Sequence, residues 1–138
     1  MDENLGYLIS DTGRILRKAF DKRARRVGIT RPQWRVLARL NREPGINQAP
    51  LAALLEVEPI TLTRMIDRLQ QAGMVERRND PNDRRAWCLY LTEKAEPVLA
   101  QMQELADELH HDMMAGMQPN SGAQLTGLLT SLRDNLQA

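Results

Sequence analysis

Apolar residues recur at intervals of three and four positions through most of the chain, and this spacing predicts a mainly α-helical protein. Helix ends are marked by Gly28 and Gly73, and Asn47 is the expected N-terminal cap of a short helix. The predicted helices cover 5–27, the segment from Thr30 to the Pro44-Gly45 break, 48–55, 59–72, a long helix from a Thr92 cap to about Met117, and 123–136.

The hydrophobic period changes only between residues 74 and 91. Met74–Arg78 is a strand candidate, Asn79–Asp83 is a cluster of turn-forming residues, and Ala86–Leu91 alternates as a strand does. The alternation places Trp87, Leu89 and Leu91 on one face, with Cys88 and Tyr90 on the other. This segment is therefore predicted to be a β-hairpin.

A short helix, a tight connection, a second helix and a hairpin follow one another, which is the order of a winged helix-turn-helix. We expect the helix-turn-helix over 48–72, the wing over 74–91 and the whole DNA-binding part over about 30–93. In such a unit the second helix enters the major groove. Its polar side chains off the apolar stripe are candidates to contact bases or phosphates: Thr61, Thr63, Arg64 and Arg68.

Four arginines mark the predicted wing. Arg84 and Arg85 stand at the end of the turn, and Arg77 and Arg78 lie on the incoming strand. Because a narrow minor groove has an enhanced negative potential, it favours an inserted arginine. Asp83 is placed to pair with one of these side chains and hold it extended.

Charge is distributed unevenly along the 138 residues. Residues 1–94 hold 18 of the 19 cationic and 12 of the 18 acidic side chains, whereas residues 95–138 hold one and six. The net charge of +1 thus conceals a basic front and an acidic rear. This asymmetry favours an anionic partner. For most of the 11 cations between Arg14 and Arg42, we expect a solvated surface.

The composition argues against several other classes. The single Cys88 excludes an intrachain disulfide framework, and we expect no reactive role for it. His110 and His111 are neighbours on a helix and point about 100° apart, so we expect no metal site there. No phosphate loop or nucleophile motif is present, so no catalytic residue and no cofactor is predicted. The chain shows no membrane span and begins without a basic leader, so we expect a cytoplasmic protein.

The stretch GMVERRNDPNDRRAWCLYLTEKAEP from Gly73 to Pro97 closely resembles the MarR family of bacterial transcription regulators, and its wing is similar to that of the SlyA branch. The upstream ITRPQWRVLARL and PLAALLEVEPITLTRMIDRLQQAGMVERR match as well. The resemblance implies one domain over 3–136, with dimerisation helices at about 5–27 and 93–136. It further implies a nucleoid-associated homodimer on pseudo-palindromic double-stranded DNA, which we expect to be a repressor released by an aromatic or phenolic effector.

Individual site residues also follow from the resemblance. The family's wing arginine matches Arg85, next to Arg84, and its recognition-helix contacts match Pro59, Thr61, Thr63 and Arg64. We add Gln48, at the start of the first helix of the motif, to the expected DNA contacts. Pro59 stands one position earlier than is usual in the SlyA branch, so no base preference is inferred there. For an effector carboxylate we expect Arg14 and Arg17, a turn apart, near Trp34.

Dimerisation has support of its own in the sequence. The long helix carries an apolar stripe, the last helix has five leucines, and the first helix has its own stripe; the stripe of the long helix consists of Leu99, Met102, Leu105, Leu109 and Met113. A small winged unit cannot cover this much apolar surface, so a second subunit is expected to do so. Two alternatives stay open: an anti-silencing regulator that needs no ligand, and a winged scaffold that binds proteins instead of DNA.

Overall fold

The computed structural model describes residues 4–138 and shows helices flanking one antiparallel hairpin, as the sequence predicts. The elements in chain order are α1 (Leu5–Arg26), α2 (Arg31–Arg42), α3 (Gln48–Leu55), α4 (Pro59–Gln71), β1 (Val75–Asp80), β2 (Asp83–Leu91), α5 (Glu96–Met113) and α6 (Ser121–Gln137). The chain forms two compact units, one extending to Leu105 and the other covering Ala106–Ala138. Among the described residues, no helix is long and apolar enough to cross a membrane.

Local hydrogen bonds fix where the first two helices begin. The side chain of Asn4 accepts a hydrogen bond from the backbone N–H of Gly6 at the start of α1. At α2, Thr30 Oγ1 accepts from the N–H of Gln33, whose side chain accepts in return from the N–H of Thr30. This reciprocal capping box satisfies two donors that a helix start leaves unpaired. The predicted Thr30 cap is therefore confirmed.

The core of the first unit lies where α2, α3, α4 and the hairpin meet. Leucine and isoleucine side chains at helical spacing turn inward from each helix, and β1 and β2 contribute one fully buried residue each. The buried core side chains in this region include Val36, Leu37, Leu40, Leu51, Leu55, Leu62, Ile66, Leu69, Val75 and Leu89. Because burying each such side chain contributes about 1.5–3 kcal/mol, this core positions the motif rigidly.

The hairpin is longer than the sequence indicates. Its register runs from Val75 opposite Leu91 to Asp80 opposite Asp83, so that only two residues form the turn. The segment after α2 joins its other edge: the N–H of Gly45 donates to Leu89 O at 2.9 Å, and the N–H of Leu89 donates to Ile46 O at 3.0 Å. The base of the wing is thus hydrogen-bonded on both sides.

Several sequence predictions need correction. Thr92 does not cap a long helix, because its hydroxyl donates to the carbonyl of Gly73. A short 3-10 turn, Glu93–Ala95, follows it, and α5 ends at Met113 instead of Met117. Asn47 stands at the N-cap position of α3, but its side chain makes no capping bond.

The shared apolar face of Trp87, Leu89 and Leu91 is only partly covered by the core. Trp87 is 44% exposed, whereas Leu89 is fully buried. The difference arises because Trp87 stands nearer the tip of the hairpin, where the core no longer reaches.

Gly45 provides a test of the packing beside the wing. It has a φ of +87°, and a Cβ added there would lie 2.8 Å from the Tyr90 hydroxyl. We expect Gly45→Ala to lower the free energy of unfolding by about 2–4 kcal/mol, from backbone strain plus overpacking. Gly28→Ala, at a similar φ with open space around it, should cost only about 1 kcal/mol. Urea denaturation measures both, and equal losses would contradict the predicted clash with Tyr90.

Candidate nucleic-acid interface

A left-handed residue makes the tight connection between α3 and α4. Glu56 adopts φ 55° and ψ 44°, and its N–H donates to Ala53 O. The N–H of Val57 donates to Ala52 O, which closes the end of α3. The two helices then pack through buried leucine and isoleucine side chains. The resulting arrangement is a helix-turn-helix, as predicted.

The candidate side chains of α4 fall into two groups. Thr61, Arg64 and Arg68 are exposed along the helix, and Pro59 is exposed at its first position. Glu58, at the N-cap, makes no side-chain capping bond, so the start of α4 keeps backbone donors that can meet an anion. These exposed groups can approach a ligand without any change in the fold.

Thr63 and Gln48 form the second group, and the structure pairs them with each other. Gln48 Nε2 donates to Thr63 Oγ1 at 2.7 Å, and Thr63 Oγ1 donates to Pro59 O at 2.9 Å. Gln48 Oε1 is buried without a hydrogen-bond partner. The pair therefore braces the start of α3 against α4.

Arg77 is largely enclosed between α4 and the hairpin. Its guanidinium contacts Asp67 Oδ1 at 2.7 Å, donates to Gln70 Oε1 at 2.6 Å and reaches the Thr63 carbonyl at 3.4 Å. Its side chain is only 15% exposed. This arginine ties the wing to α4, and the DNA contact expected of it stays a prediction.

Arg78, on the other face of β1, is exposed. It pairs with Glu76, and its guanidinium carbon lies 4.0 Å from the centre of the Tyr90 ring. The side chain is thus held along the hairpin by a charge pair and a cation–π contact.

The wing tip presents Arg84 and Arg85, both exposed. Asp83 Oδ1 accepts a hydrogen bond from the backbone N–H of Arg85 at 2.9 Å. The sequence predicts that Asp83 pairs with an arginine side chain, but its carboxylate instead shapes the backbone that carries Arg85. This hydrogen bond still helps to position Arg85, since it fixes the backbone from which the Arg85 side chain extends.

A polar network that the sequence did not reveal holds the wing to the start of α3. Asn47 Nδ2 donates to Asp80 Oδ2 at 3.0 Å, and Cys88 Sγ donates to Asn47 Oδ1 at 3.3 Å. The backbone N–H of Asn82 and the Asn47 amide hold the pKa of Asp80 below its ordinary value, and partial burial opposes them. The turn-forming Asn and Asp residues are visible in the sequence, but their long-range pairing is not.

A cleft of about 400 Å³ lies between the helix-turn-helix and the wing. Three predicted site residues share it: Gln48, Pro59 and Arg85. The other residues around it are Asn47, Ala49, Pro50, Asp83, Ala86 and Trp87. The start of α4 and the tip of the wing therefore border one continuous surface.

The expected effector residues differ in their exposure and in their partners. Trp34 is buried and meets Phe20 edge-on, with ring centroids 4.5 Å apart. Arg14 is exposed and pairs with Asp11 at 2.8 Å, and Arg17 is exposed as well. Within residues 4–138 no group of three or more histidine, cysteine or acidic side chains could hold a metal ion.

Comparison with known proteins identifies the family. The MarR family model matches residues 29–87. A MarR transcriptional regulator from Methanosarcina mazei Go1 has 30% sequence identity and a TM-score of 0.83, with 95% of this chain and 94% of that chain covered.

The chain belongs to the MarR family. Wild-type MarR from E. coli, in its apo form, matches at 28% identity and a TM-score of 0.84, covering 96% of this chain and 98% of that one. A mutant of E. coli MarR complexed with operator DNA matches at 29% identity and a TM-score of 0.81, with 93% and 92% covered. The MarR-family assignment thus extends over nearly the whole chain, including the helices outside the winged unit.

The polar network at the wing predicts a measurable effect on Asp80. Its folded pKa lies below the ordinary 3.8, so the carboxylate stabilises the fold above about pH 4, and this contribution disappears as the pH falls through the folded value. Asn47→Ala should raise the Asp80 pKa toward 3.8 without reaching it, since the Asn82 donor remains. Carbon-13 NMR titration measures this, with exposed Asn79→Ala as the control. An unchanged pKa in Asn47→Ala would contradict the network.

Proposed function

We propose that the protein is a homodimeric transcription regulator that binds double-stranded DNA sequence-specifically. The observation that carries the proposal is the shared surface of the α4 start and the wing tip, where Pro59 and Arg85 border one cleft. The similar E. coli MarR mutant that is complexed with operator DNA supports this assignment. Because the chain belongs to the MarR family of transcription regulators, we do not expect it to be an enzyme.

The exposed residues suggest a division of tasks on DNA. Thr61, Arg64 and Arg68 are placed to meet bases and phosphates from the major groove. Arg84 and Arg85 are suited to a minor groove, where phosphates converge on an inserted guanidinium. The first set lies on α4 and the second on the wing, and other side chains hold α4 and the wing in a fixed relation.

The side chains that hold α4 and the wing in place are those of Arg77, Thr63 and Gln48. Their hydrogen bonds join α3, α4 and β1, so we assign them to positioning the DNA contacts. Arg78 stays available beside the wing, because its pair with Glu76 is exposed and an exposed pair is weak.

Exposed apolar residues support a homodimer. On α1, Leu5 and Tyr7 are 62% and 78% exposed, and on α6, Leu128 and Leu136 are 70% and 80% exposed. Large exposed apolar side chains grouped on long helices are typical of a subunit interface. A two-fold dimer would present two winged units to half-sites about 10 bp apart.

Repression, and its relief by an aromatic or phenolic effector, complete the proposal. One similar structure is that of the multiple antibiotic resistance repressor MarR, at 28% identity. The exposed Arg14 and Arg17 can attract a carboxylate. Trp34 is buried, so it packs in the core and presents little surface to an effector. The DPNDRRA wing supports placement in the SlyA branch.

The wing arginine gives the sharpest test of DNA binding. We expect Arg85→Ala to weaken binding to a selected genomic fragment by about 1–3 kcal/mol, because no guanidinium then enters the groove. Arg133→Ala, which removes an exposed arginine of α6, should leave affinity unchanged. Fluorescence anisotropy measures both variants across salt concentrations. Equal affinity of Arg85→Ala and the parent would favour a winged scaffold that binds proteins.

The dimer is tested on α6. Leu128→Glu places a charge within the proposed interface and should shift the protein from dimer to monomer, since an unpaired buried charge is costly. Gln124→Glu adds the same charge to an exposed polar position and should leave the dimer intact. Sedimentation velocity reads out the mass. A parent protein that sediments as a monomer would refute the homodimer.

A further inference from the structure

The segment that contains the helix-turn-helix and the wing carries no net charge. Residues 44–94 hold seven cationic and seven acidic side chains. Residues 11–43, which cover most of α1 and all of α2, hold 11 cations and three acids, a net charge of +8. Electrostatic attraction to a polyanion therefore originates mainly outside the helix-turn-helix and the wing.

On α1 the exposed cations share one face. Lys18, Lys22 and Arg25 follow one another at intervals of four and three, which places them on one side of the helix. The opposite side carries Phe20, which is half-buried against the Trp34 ring. The basic side of α1 is therefore the side directed away from the core.

A second basic row runs along α2. Arg31, Arg35 and Arg42 stand four and seven positions apart, opposite the buried Leu37 and Leu40. With a rise of 1.5 Å per residue, the α1 row spans about 10 Å and the α2 row about 16 Å. Those lengths match several phosphates along a duplex, which carries one charge per about 1.7 Å of its axis.

The two rows adjoin where α1 meets α2. Arg31 Nε lies 3.7 Å from Asp21 Oδ1, and Asp21 stands between Lys18 and Arg25 on α1. We call the exposed cations of both rows the α1–α2 face; they are Lys18, Lys22, Arg25, Arg35 and Arg42. Within residues 4–138 none of these five forms an ion pair with an acidic side chain.

We propose that the α1–α2 face binds the phosphate backbone of duplex DNA that flanks the segment contacted by the winged units. This inference rests on the proposed function, because the winged units bring the flanking DNA to a high local concentration. The contact is independent of sequence, since lysine and arginine here meet phosphates alone. The face would thus supply affinity, while α4 and the wing supply specificity.

The surroundings of the face fit DNA better than a membrane. A helix that lies on a bilayer needs an apolar side free to insert. Between Lys18 and Arg26 the apolar side of α1 faces the protein, with Ala24 buried and Phe20 half-buried. Only the charged side of this segment is free for a partner.

The test uses two mixed-sequence duplexes, one of about 20 bp that spans only two half-sites and one of about 60 bp. We expect Arg35→Gln/Arg42→Gln to reduce the salt slope of log affinity on the longer duplex by roughly 0.9 for each phosphate that is no longer neutralised. That corresponds to roughly eightfold in affinity per phosphate between 1 M and 0.1 M salt. The slope on the short duplex should not change.

Lys94→Gln/Arg133→Gln is the matched control, because it removes the same net charge elsewhere and should keep the parent slope on both duplexes. The triple variant Lys18→Gln/Lys22→Gln/Arg25→Gln should behave like the α2 pair. Circular dichroism checks that each variant is folded, as expected for exposed positions.

The outcomes separate the two proposals. If the parent binds neither duplex, the proposed DNA-binding function fails. If the parent binds and the face variants keep its slope on the long duplex, only the α1–α2 face is refuted. Equal reductions of the slope on both lengths would overturn the flanking position. Loss of binding to phosphatidylglycerol vesicles, with no change on DNA, would show that the face serves a membrane.

Discussion

The enclosed guanidinium of Arg77 sets the geometry on which the candidate interface depends. The helix-turn-helix and the wing are separate pieces of backbone, and a duplex would require both in a fixed relation. Arg77 bonds to Asp67 and Gln70 of α4 from its position on β1. The Arg77 side chain is only 15% exposed, so solvent weakens its hydrogen bonds less than it weakens an ion pair whose two side chains are both exposed. These bonds therefore stabilise one relative orientation of α4 and the hairpin.

The polar side chains of the interface form two groups: those that bond to neighbouring elements of the fold and those that are exposed to a ligand. Asn47, Gln48 and Arg77 use their hydrogen-bonding capacity on neighbouring elements. Arg64 and Arg85 remain exposed on the elements so fixed. Such preorganisation lowers the conformational entropy that binding removes, because only the outward side chains must be ordered.

Much of this fold could be predicted from residue spacing alone. The order of the elements, the Thr30 cap and the hairpin follow from local patterns, because those patterns report on bonds between near neighbours. The functions of Asn47 and Thr92 do not follow from such patterns. Both have cap-forming side chains that bond instead to partners far along the chain, Asp80 and Gly73. The exposure of Trp87 is likewise invisible in the sequence, since alternation shows which face a residue is on but not how far the core extends.

The hydrogen bonds between the segment after α2 and β2 have a mechanical consequence. Gly45 and Ile46 follow α2 almost directly, and both bond to Leu89 of the hairpin. Peptide bonds and a two-sided ladder leave little slack between the end of α2 and the wing. The position of the end of α2 therefore constrains where the base of the wing can lie.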